Sequence, residues 1–220
     1  MRRHIGQAGL SALSKGEIMQ TATSNTLSRA KTLGGVGSIL TLLLFVPYAG
    51  GVIVIIGWIL ILLAVKDISQ AVQDRSIYNN ALAAAILAII GAATFAFVVA
   101  ATVLALIGLG SIPTTAGSTP PVGFLNILGA ALLGLAVVWI VGLIGSYFLY
   151  KSFKGISAKL PVGLFGTGAL IYFIGSILTI VVVGFFLIFI AQILFIVAFF
   201  SIPDRPSQPG MMQPGMAPSS

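Results

Sequence analysis

The sequence predicts an all-α fold: a polytopic transmembrane helix bundle of six spans, in which two terminal helical hairpins flank two longer central helices. Of the 220 residues, 58% are hydrophobic and only 7% are charged, far below the roughly one quarter typical of soluble domains. The apolar residues run in long blocks without a helical or strand period. All charged residues fall in four places outside those blocks: before Leu33, in 66–75, in 151–159, and at 204–205.

Residues 1–32 form a polar, basic N-terminal tail. Its apolar residues are loosely spaced as in a surface helix, and they are Ile5, Leu10, Leu13 and Ile18. Because about thirty mostly polar residues precede the first apolar block, the tail does not fit a cleavable signal peptide.

The first two spans are predicted at about 33–48 and 50–66, separated by the turn sequence Pro-Tyr-Ala-Gly-Gly at 47–51. Each arm is about 25 Å long at 1.5 Å per residue, slightly short of a hydrocarbon core of about 30 Å. The hairpin therefore either crosses a locally thinned bilayer or is re-entrant, and both of its ends lie on the same side.

The third and fourth spans are predicted at about 79–108 and 122–150, joined by a link rich in Gly, Ser, Thr and Pro. The last apolar block is too long for one span, so it divides into two, about 161–182 and 184–202, with a turn near Gly184. The Pro, Gly and Met composition of 203–220 predicts a disordered C-terminal tail.

With six spans, every charged segment falls on one face of the membrane and the uncharged links fall on the other. The positive-inside rule then predicts a multi-pass protein of the plasma membrane with both termini in the cytoplasm. The net charge of +7 is assigned to topology and to anionic lipid headgroups of the bilayer, and not to nucleic acid.

One pentapeptide, Gly-Ser-Ile-Leu-Thr, occurs twice, at 37–41 and 175–179. In each terminal hairpin it is followed by small residues spaced by seven, a period that favours left-handed helix packing. Small residues let helix backbones approach closely in lipid. The predicted helix-packing residues are therefore Gly50, Gly57 and Ala64 in the first hairpin and Gly184, Ala191 and Ala198 in the second.

The third span carries alanine at every fourth position, a ridge that suits close helix crossings. Its members are Ala84, Ala88, Ala92, Ala96 and Ala100. These small-residue faces predict association with a second copy of the chain or with another membrane protein.

The sequence offers little for catalysis. It contains no cysteine, its one histidine is His4 in the tail, and no apolar block contains a charged residue. We therefore expect no catalytic residue, cofactor site or metal site, and no enzymatic activity. Polar side chains within the spans either line a path for a neutral solute or hydrogen-bond between helices, and the main candidates are Asn126 and Gln192, with Ser38, Thr94, Thr102 and Ser176.

Several stretches resemble a known family: Leu-Gly-Gly-Val-Gly-Ser-Ile-Leu-Thr at 33–41, Val-Pro-Tyr-Ala-Gly-Gly at 46–51, Ala-Val-Lys-Asp-Ile-Ser at 64–69, and the closing segments 172–179 and 198–203. The chain resembles the archaeal and bacterial integral membrane proteins called domain of unknown function 996 over about residues 33–203. The resemblance supports the membrane fold and implies no activity, cofactor or catalytic residue.

Two functions remain open from the sequence. The first is a non-enzymatic scaffold or accessory subunit of a membrane complex, indicated by the small-residue faces. The alternative is a channel or permease for a small neutral or apolar solute, lined by Asn126, Gln192 and neighbouring hydroxyl residues.

Overall fold

A computed structural model of the chain describes residues 3–43, 50–110 and 122–203, with side-chain surroundings for 21–43, 53–108 and 123–203. Over these ranges the fold is all-α, with six α-helices and no strand, which confirms the predicted helical bundle. The helices are α1 (Arg3–Leu42), α2 (Gly50–Ala71), α3 (Arg75–Gly110), α4 (Val122–Lys159), α5 (Leu164–Leu178) and α6 (Val183–Phe200), with one 3₁₀ turn at Thr179–Val181.

Five helical segments within the described residues are long and apolar enough to cross a membrane, which marks the chain as a membrane protein by length and composition. They are Ile53–Ala71, Arg75–Gly108, Gly123–Lys159, Leu164–Val181 and Val183–Phe200. The predicted first span begins inside α1, which is continuous with the tail helix, and its turn at 44–49 lies outside the described residues. The same holds for 111–121 in the central link and for 204–220 in the C-terminal tail.

The six helices form a closed circuit. Each helix packs against its neighbours in the chain, and α6 also packs against α1, so that the first and last helices are adjacent. Within residues 21–43, 53–108 and 123–203, the charged side chains gather at one end of this circuit, called here the charged end, where α2, α4 and α6 finish and α3 and α5 begin.

The most deeply buried residues lie toward the charged end. Leu27 of α1, Ile68 of α2, Ile77 of α3, Ile156 of α4 and Ile202 after α6 are all almost completely buried, and they belong to one apolar cluster. Four phenylalanines add edge-on ring contacts at 4.7–6.2 Å between centroids, and they are Phe153, Phe165, Phe195 and Phe199. The helices are thus held together most tightly where the polar residues begin.

The central helices are much longer than those of the second hairpin. At 36 and 38 residues, α3 and α4 are about 54 and 57 Å long, whereas α5 and α6 are about 22 and 27 Å. The indole N–H of Trp139 on α4 donates to the carbonyl of Ser176, near the end of α5, at 3.1 Å. Residues 95–110 and 122–138, called here the distal arm, therefore continue about 25 Å beyond the end of α5.

The turn between α5 and α6 differs in detail from the prediction. A positive φ of 64° falls on Val182 and not on Gly184. Gly184 is buried instead, and a Cβ built on it would overlap the backbone of Gly175 and Thr179. The glycine is thus required for close helix approach, and the turn itself is made by a β-branched residue in a conformation that L-residues rarely adopt.

Candidate functional site

A polar cluster, called here the core polar cluster, lies inside the bundle where α1 meets α6. It consists of Ser38, Thr41 and Gln192. Ser38 is completely buried and Thr41 is 5% exposed. The Thr41 hydroxyl lies 2.8 Å from the Ser38 carbonyl and 3.2 Å from the amide oxygen Oε1 of Gln192. The contact with Gln192 joins residues 151 apart in sequence and links α1 to α6 through their side chains.

The protons in this cluster can be counted. A threonine hydroxyl has one proton, and the shorter contact assigns it to the Ser38 carbonyl. The Thr41 oxygen can then only accept from Gln192. The contact is a hydrogen bond when the side-chain amide of Gln192 is flipped by 180°, so that its N–H₂ and not its oxygen faces Thr41. This orientation leaves the amide oxygen of Gln192 as an acceptor for another group.

The Ser38 hydroxyl has no hydrogen-bond partner among the described residues. Ser38 lines a cavity of about 10 Å³, whose other walls come from α2, α4 and α6. Those wall residues are Trp58, Ile61, Leu149, Phe153, Gln192 and Phe195. A buried hydroxyl without a partner is costly in an apolar interior.

A second cavity of about 80 Å³ adjoins the first, because both are lined by Trp58 and Leu149. Its polar lining comes from Ser146 and Tyr172, and its remaining walls are Ala84, Ala88, Gly142 and Gly145. Trp58 therefore borders two spaces: the first lies between α1, α2, α4 and α6, and the second lies between α2, α3, α4 and α5 and reaches the exposed residues Ala88 and Gly142.

The structure places the predicted polar residues at different depths. Gln192 lies in the core polar cluster, whereas Asn126 is exposed on the distal arm, about 20 Å along α4 from Trp139. The structure does not bring these two side chains together. The hydroxyls of Thr94, Thr102 and Ser176 donate to carbonyls one turn earlier in their own helices, the ordinary way to satisfy a hydroxyl in an apolar helix.

Sequence reasoning missed two members of the site, Thr41 and Trp58. Thr41 follows Ser38 by three residues, so helical spacing alone puts both on one face of α1. This signal was present in the repeated pentapeptide. No comparable pattern identifies Trp58, because its role depends on which helices surround it.

The predicted small residues divide into two groups. One group is buried between helices and comprises Gly57, Ala64, Ala84, Gly184, Ala191 and Ala198. The other is exposed along α3 and comprises Ala88, Ala92, Ala96 and Ala100. Gly50 begins α2, and its surroundings lie outside the described residues.

Each terminal hairpin contains a direct glycine–glycine contact. A Cβ built on Gly37 would lie 2.7 Å from the carbonyl oxygen of Gly57, and one on Gly57 would lie 2.8 Å from that of Gly37. In the second hairpin Gly175 faces Gly184 in the same way. The repeated pentapeptide thus has the same packing role twice, although it lies nearer to the turn in the second hairpin.

The polar contacts at the charged end include an ion pair and a helix N-cap. Arg29 on α1 approaches Asp67 on α2 at 3.5 Å, and the Asp67 side chain is only 13% exposed. Asp74 precedes α3 and accepts hydrogen bonds from the Ser76 hydroxyl at 2.6 Å and from the Ser76 N–H at 3.0 Å, which makes it the N-cap of that helix. These hydrogen bonds, and the more distant Lys159, lower the pKa of the Asp74 carboxyl.

Taken together, a closed circuit of long apolar helices with a buried polar cluster defines a helical membrane protein, and its described residues contain no group of three or more His, Cys, Asp or Glu that could hold a metal ion. Comparison with known proteins identifies the family of this chain. Residues 53–193 match a family described as "Protein of unknown function (DUF996)". The chain is also 39% identical over 179 residues to the uncharacterized protein MJ1644 of Methanocaldococcus jannaschii, an alignment that covers 81% of this chain and 94% of the relative.

The chain therefore belongs to the DUF996 family, as its sequence motifs predicted. No solved structure matches it. The family assignment and the archaeal relative name no substrate or reaction, so the proposals below depend on the geometry of this chain.

Proposed function

We propose that this protein is a multi-pass plasma-membrane scaffold or accessory subunit, non-enzymatic, with both termini in the cytoplasm, and that its distal arm binds another membrane protein or a second copy. The observation that carries the proposal is the distal arm itself. Its apolar side chains project away from the rest of the chain, and Phe97, Leu104 and Leu133 are each at least 70% exposed.

The length of the arm argues for a protein partner. The uncharged part of α3, from Ala81 to Gly110, is about 45 Å long, against a hydrocarbon core of about 30 Å. Tilt alone would have to reach about 48° to bury it, beyond the usual range of 0–40°. Part of this hairpin would otherwise meet water with its apolar surface, so covering by another protein stabilises it.

The shape of the arm also suits helix packing. Ala96 and Ala100 lie about 160° around the α3 axis from Val98, the residue that faces Gly134 of α4. They therefore present a small-residue face on the side of α3 away from α4. On another side, α3 and α4 enclose a groove of about 310 Å³ lined by apolar residues and Thr102, wide enough for a side chain of a partner helix.

Cross-linking from single introduced cysteines tests this proposal, because the chain contains no native cysteine. Ala96→Cys on the distal arm and Leu170→Cys on α5 are both exposed to the surroundings of the bundle. In native membranes we expect a thiol cross-linker to capture a discrete adduct, either a dimer or a heteromeric complex, from Ala96→Cys and not from Leu170→Cys. Equal capture from both positions, or none from either, would count against a binding role for the arm.

Orientation is tested with the same cysteine-free background. Ser118→Cys in the central link should react with an impermeant thiol reagent in intact cells, whereas Gln70→Cys should react only after the cells are opened. Gln70 is the better choice at the charged end because it is exposed, whereas neighbouring Ser69 is 4% exposed and donates to the Asp74 carbonyl. The reverse labelling pattern would place both termini outside.

The second candidate function, a channel or permease for a small neutral solute, is favoured by one observation: the two adjoining cavities on either side of Trp58. Their polar lining comes from serine, glutamine and tyrosine, which suits an uncharged solute. Flux assays in liposomes distinguish the two functions. Saturable or size-selective flux that falls when Trp58 is replaced would favour the permease over the scaffold.

A further inference from the structure

We propose that the core polar cluster binds one water molecule, held between the Ser38 hydroxyl and the side-chain amide of Gln192, and that this water completes the hydrogen bonding between the first and last helices. The proposal does not depend on the scaffold function. It assigns a ligand to a site where a completely buried hydroxyl without a protein partner borders a small cavity.

The size of the cavity selects the ligand. A site needs about 10–15 Å³ of space open to the centre of a water-sized sphere to hold one water, and this cavity has about 10 Å³. Any larger neutral molecule is excluded. A cation is disfavoured because every wall residue is uncharged, so its desolvation would not be offset by a nearby carboxylate.

The polar partners of this water can be named. A buried water normally makes two to four hydrogen bonds to otherwise unsatisfied groups. The Ser38 hydroxyl offers a donor and an acceptor, and Gln192 offers its amide oxygen once its N–H₂ faces Thr41. A water that accepts from Ser38 and donates to Gln192 therefore meets the minimum and removes the unsatisfied hydroxyl.

The position of the water gives it a structural role. Ser38 and Thr41 belong to α1 and Gln192 to α6, and these two helices close the circuit of the bundle. In an apolar environment a hydrogen bond is not exchanged for one to bulk water, so a bridging water there contributes to holding the two helices together.

The second copy of the pentapeptide supplies a matched control. Ser176 corresponds to Ser38 in sequence, but its hydroxyl already donates to the Tyr172 carbonyl at 2.9 Å. Ser38→Ala and Ser176→Ala therefore make the same chemical change with the same gain in helix propensity, one at the proposed water site and one away from it.

Two measurements on the full-length protein in lipid bilayers test the proposal. In the wild type, solid-state NMR should show magnetisation transfer from a long-lived water to the Ser38 backbone or the Gln192 side-chain amide, and none to Ser176. In thermal unfolding, Ser38→Ala should have a midpoint about 2–4 °C below that of Ser176→Ala.

Opposite results would overturn the proposal. If the site is dry, the wild type shows no transfer at Ser38 or Gln192. Ser38→Ala then melts above Ser176→Ala, because the substitution removes an unsatisfied hydroxyl. The NMR measurement needs no variant, so it decides the matter even where Ser38→Ala fails to fold.

Discussion

The contact between Gly37 and Gly57 makes the first hairpin sensitive to a single methyl group. In Gly57→Ala the new Cβ would lie 2.8 Å from the Gly37 carbonyl oxygen and 3.0 Å from atoms of Thr41. Both the oxygen and the Thr41 nitrogen are backbone atoms, so no side-chain rotation can relieve the overlap. The helices must move apart by several tenths of an ångström along a closely packed interface.

The expected magnitude follows from two opposing effects. Alanine is favoured over glycine in a helix interior by about 1 kcal/mol. Overpacking in a closely packed interior typically costs about 1–3 kcal/mol, and here the obstacle is backbone, so the upper part of that range applies. We therefore expect Gly57→Ala to destabilise the fold by about 1–2 kcal/mol.

Gly129 provides the control. A Cβ built on Gly129 in α4 meets nothing within 4 Å, so Gly129→Ala should only gain helix propensity and stabilise by about 0.5–1 kcal/mol. In thermal unfolding in detergent followed by circular dichroism, the two variants should differ by about 3–12 °C in midpoint, at about 2–4 °C per kcal/mol. The double variant Gly37→Ala/Gly57→Ala should cost less than the sum of the single changes, because both act on one contact. A Gly57→Ala variant as stable as Gly129→Ala would refute the reasoning.

Three further predictions concern single sites. Folding lowers the pKa of Asp74, so the contribution of this cap to stability is complete above the ordinary aspartate pKa of about 3.9 and is lost as pH falls through the lower folded value. Hydrogen-exchange protection of the Ser76 amide should therefore decline only in that acid range. In Asp74→Asn the protection should be weak at all pH values. Val182→Gly should raise the free energy of unfolding by about 1 kcal/mol, because glycine adopts a positive φ without strain. Val181→Gly, the control, should lower the free energy of unfolding. A rise in both variants would disprove backbone strain at Val182. Trp139→Phe should cost about 0.5–1 kcal/mol, measured by the same unfolding assay, since it removes one hydrogen bond between α4 and α5; an unchanged midpoint would show that the bond contributes nothing.

The helical architecture could be predicted because it depends on local features of the sequence. Uncharged blocks and charge clusters fix where helices run, and five of the predicted spans correspond to helices long and apolar enough to cross a membrane. The continuity of α1 through Leu33 was not predictable in the same way. Nothing in a change from polar to apolar composition marks whether the backbone stays helical across it.

The alanine ridge of α3 shows why regular spacing does not identify a contact. Each step of four residues advances 400° around a helix, so a ridge rotates by 40° per step. Ala84 is 3% exposed, but by Ala96 and Ala100 the same ridge has turned away from the rest of the chain. Whether those two residues pack against a partner stays a prediction.

The core polar cluster could be predicted only in part. Ser38 and Gln192 were recognisable as polar residues in apolar helices, and Ser38 and Thr41 as residues on one face. Their meeting depends on the adjacency of α1 and α6, and no local pattern specifies which of six helices will be neighbours. The same long-range dependence separates Asn126 from Gln192, which composition alone placed in one group.

The closure of the bundle between its first and last helices also constrains its biosynthesis. The face of α1 that carries Gly34, Ser38 and Thr41 is covered by Phe199 and Gln192 of α6, which is made about 150 residues later. At a translation rate of about 5–20 residues per second, that face of α1 remains uncovered for roughly 8–30 s until α6 has been synthesised. A nascent chain truncated before α6 therefore leaves a glycine- and hydroxyl-lined surface of α1 uncovered.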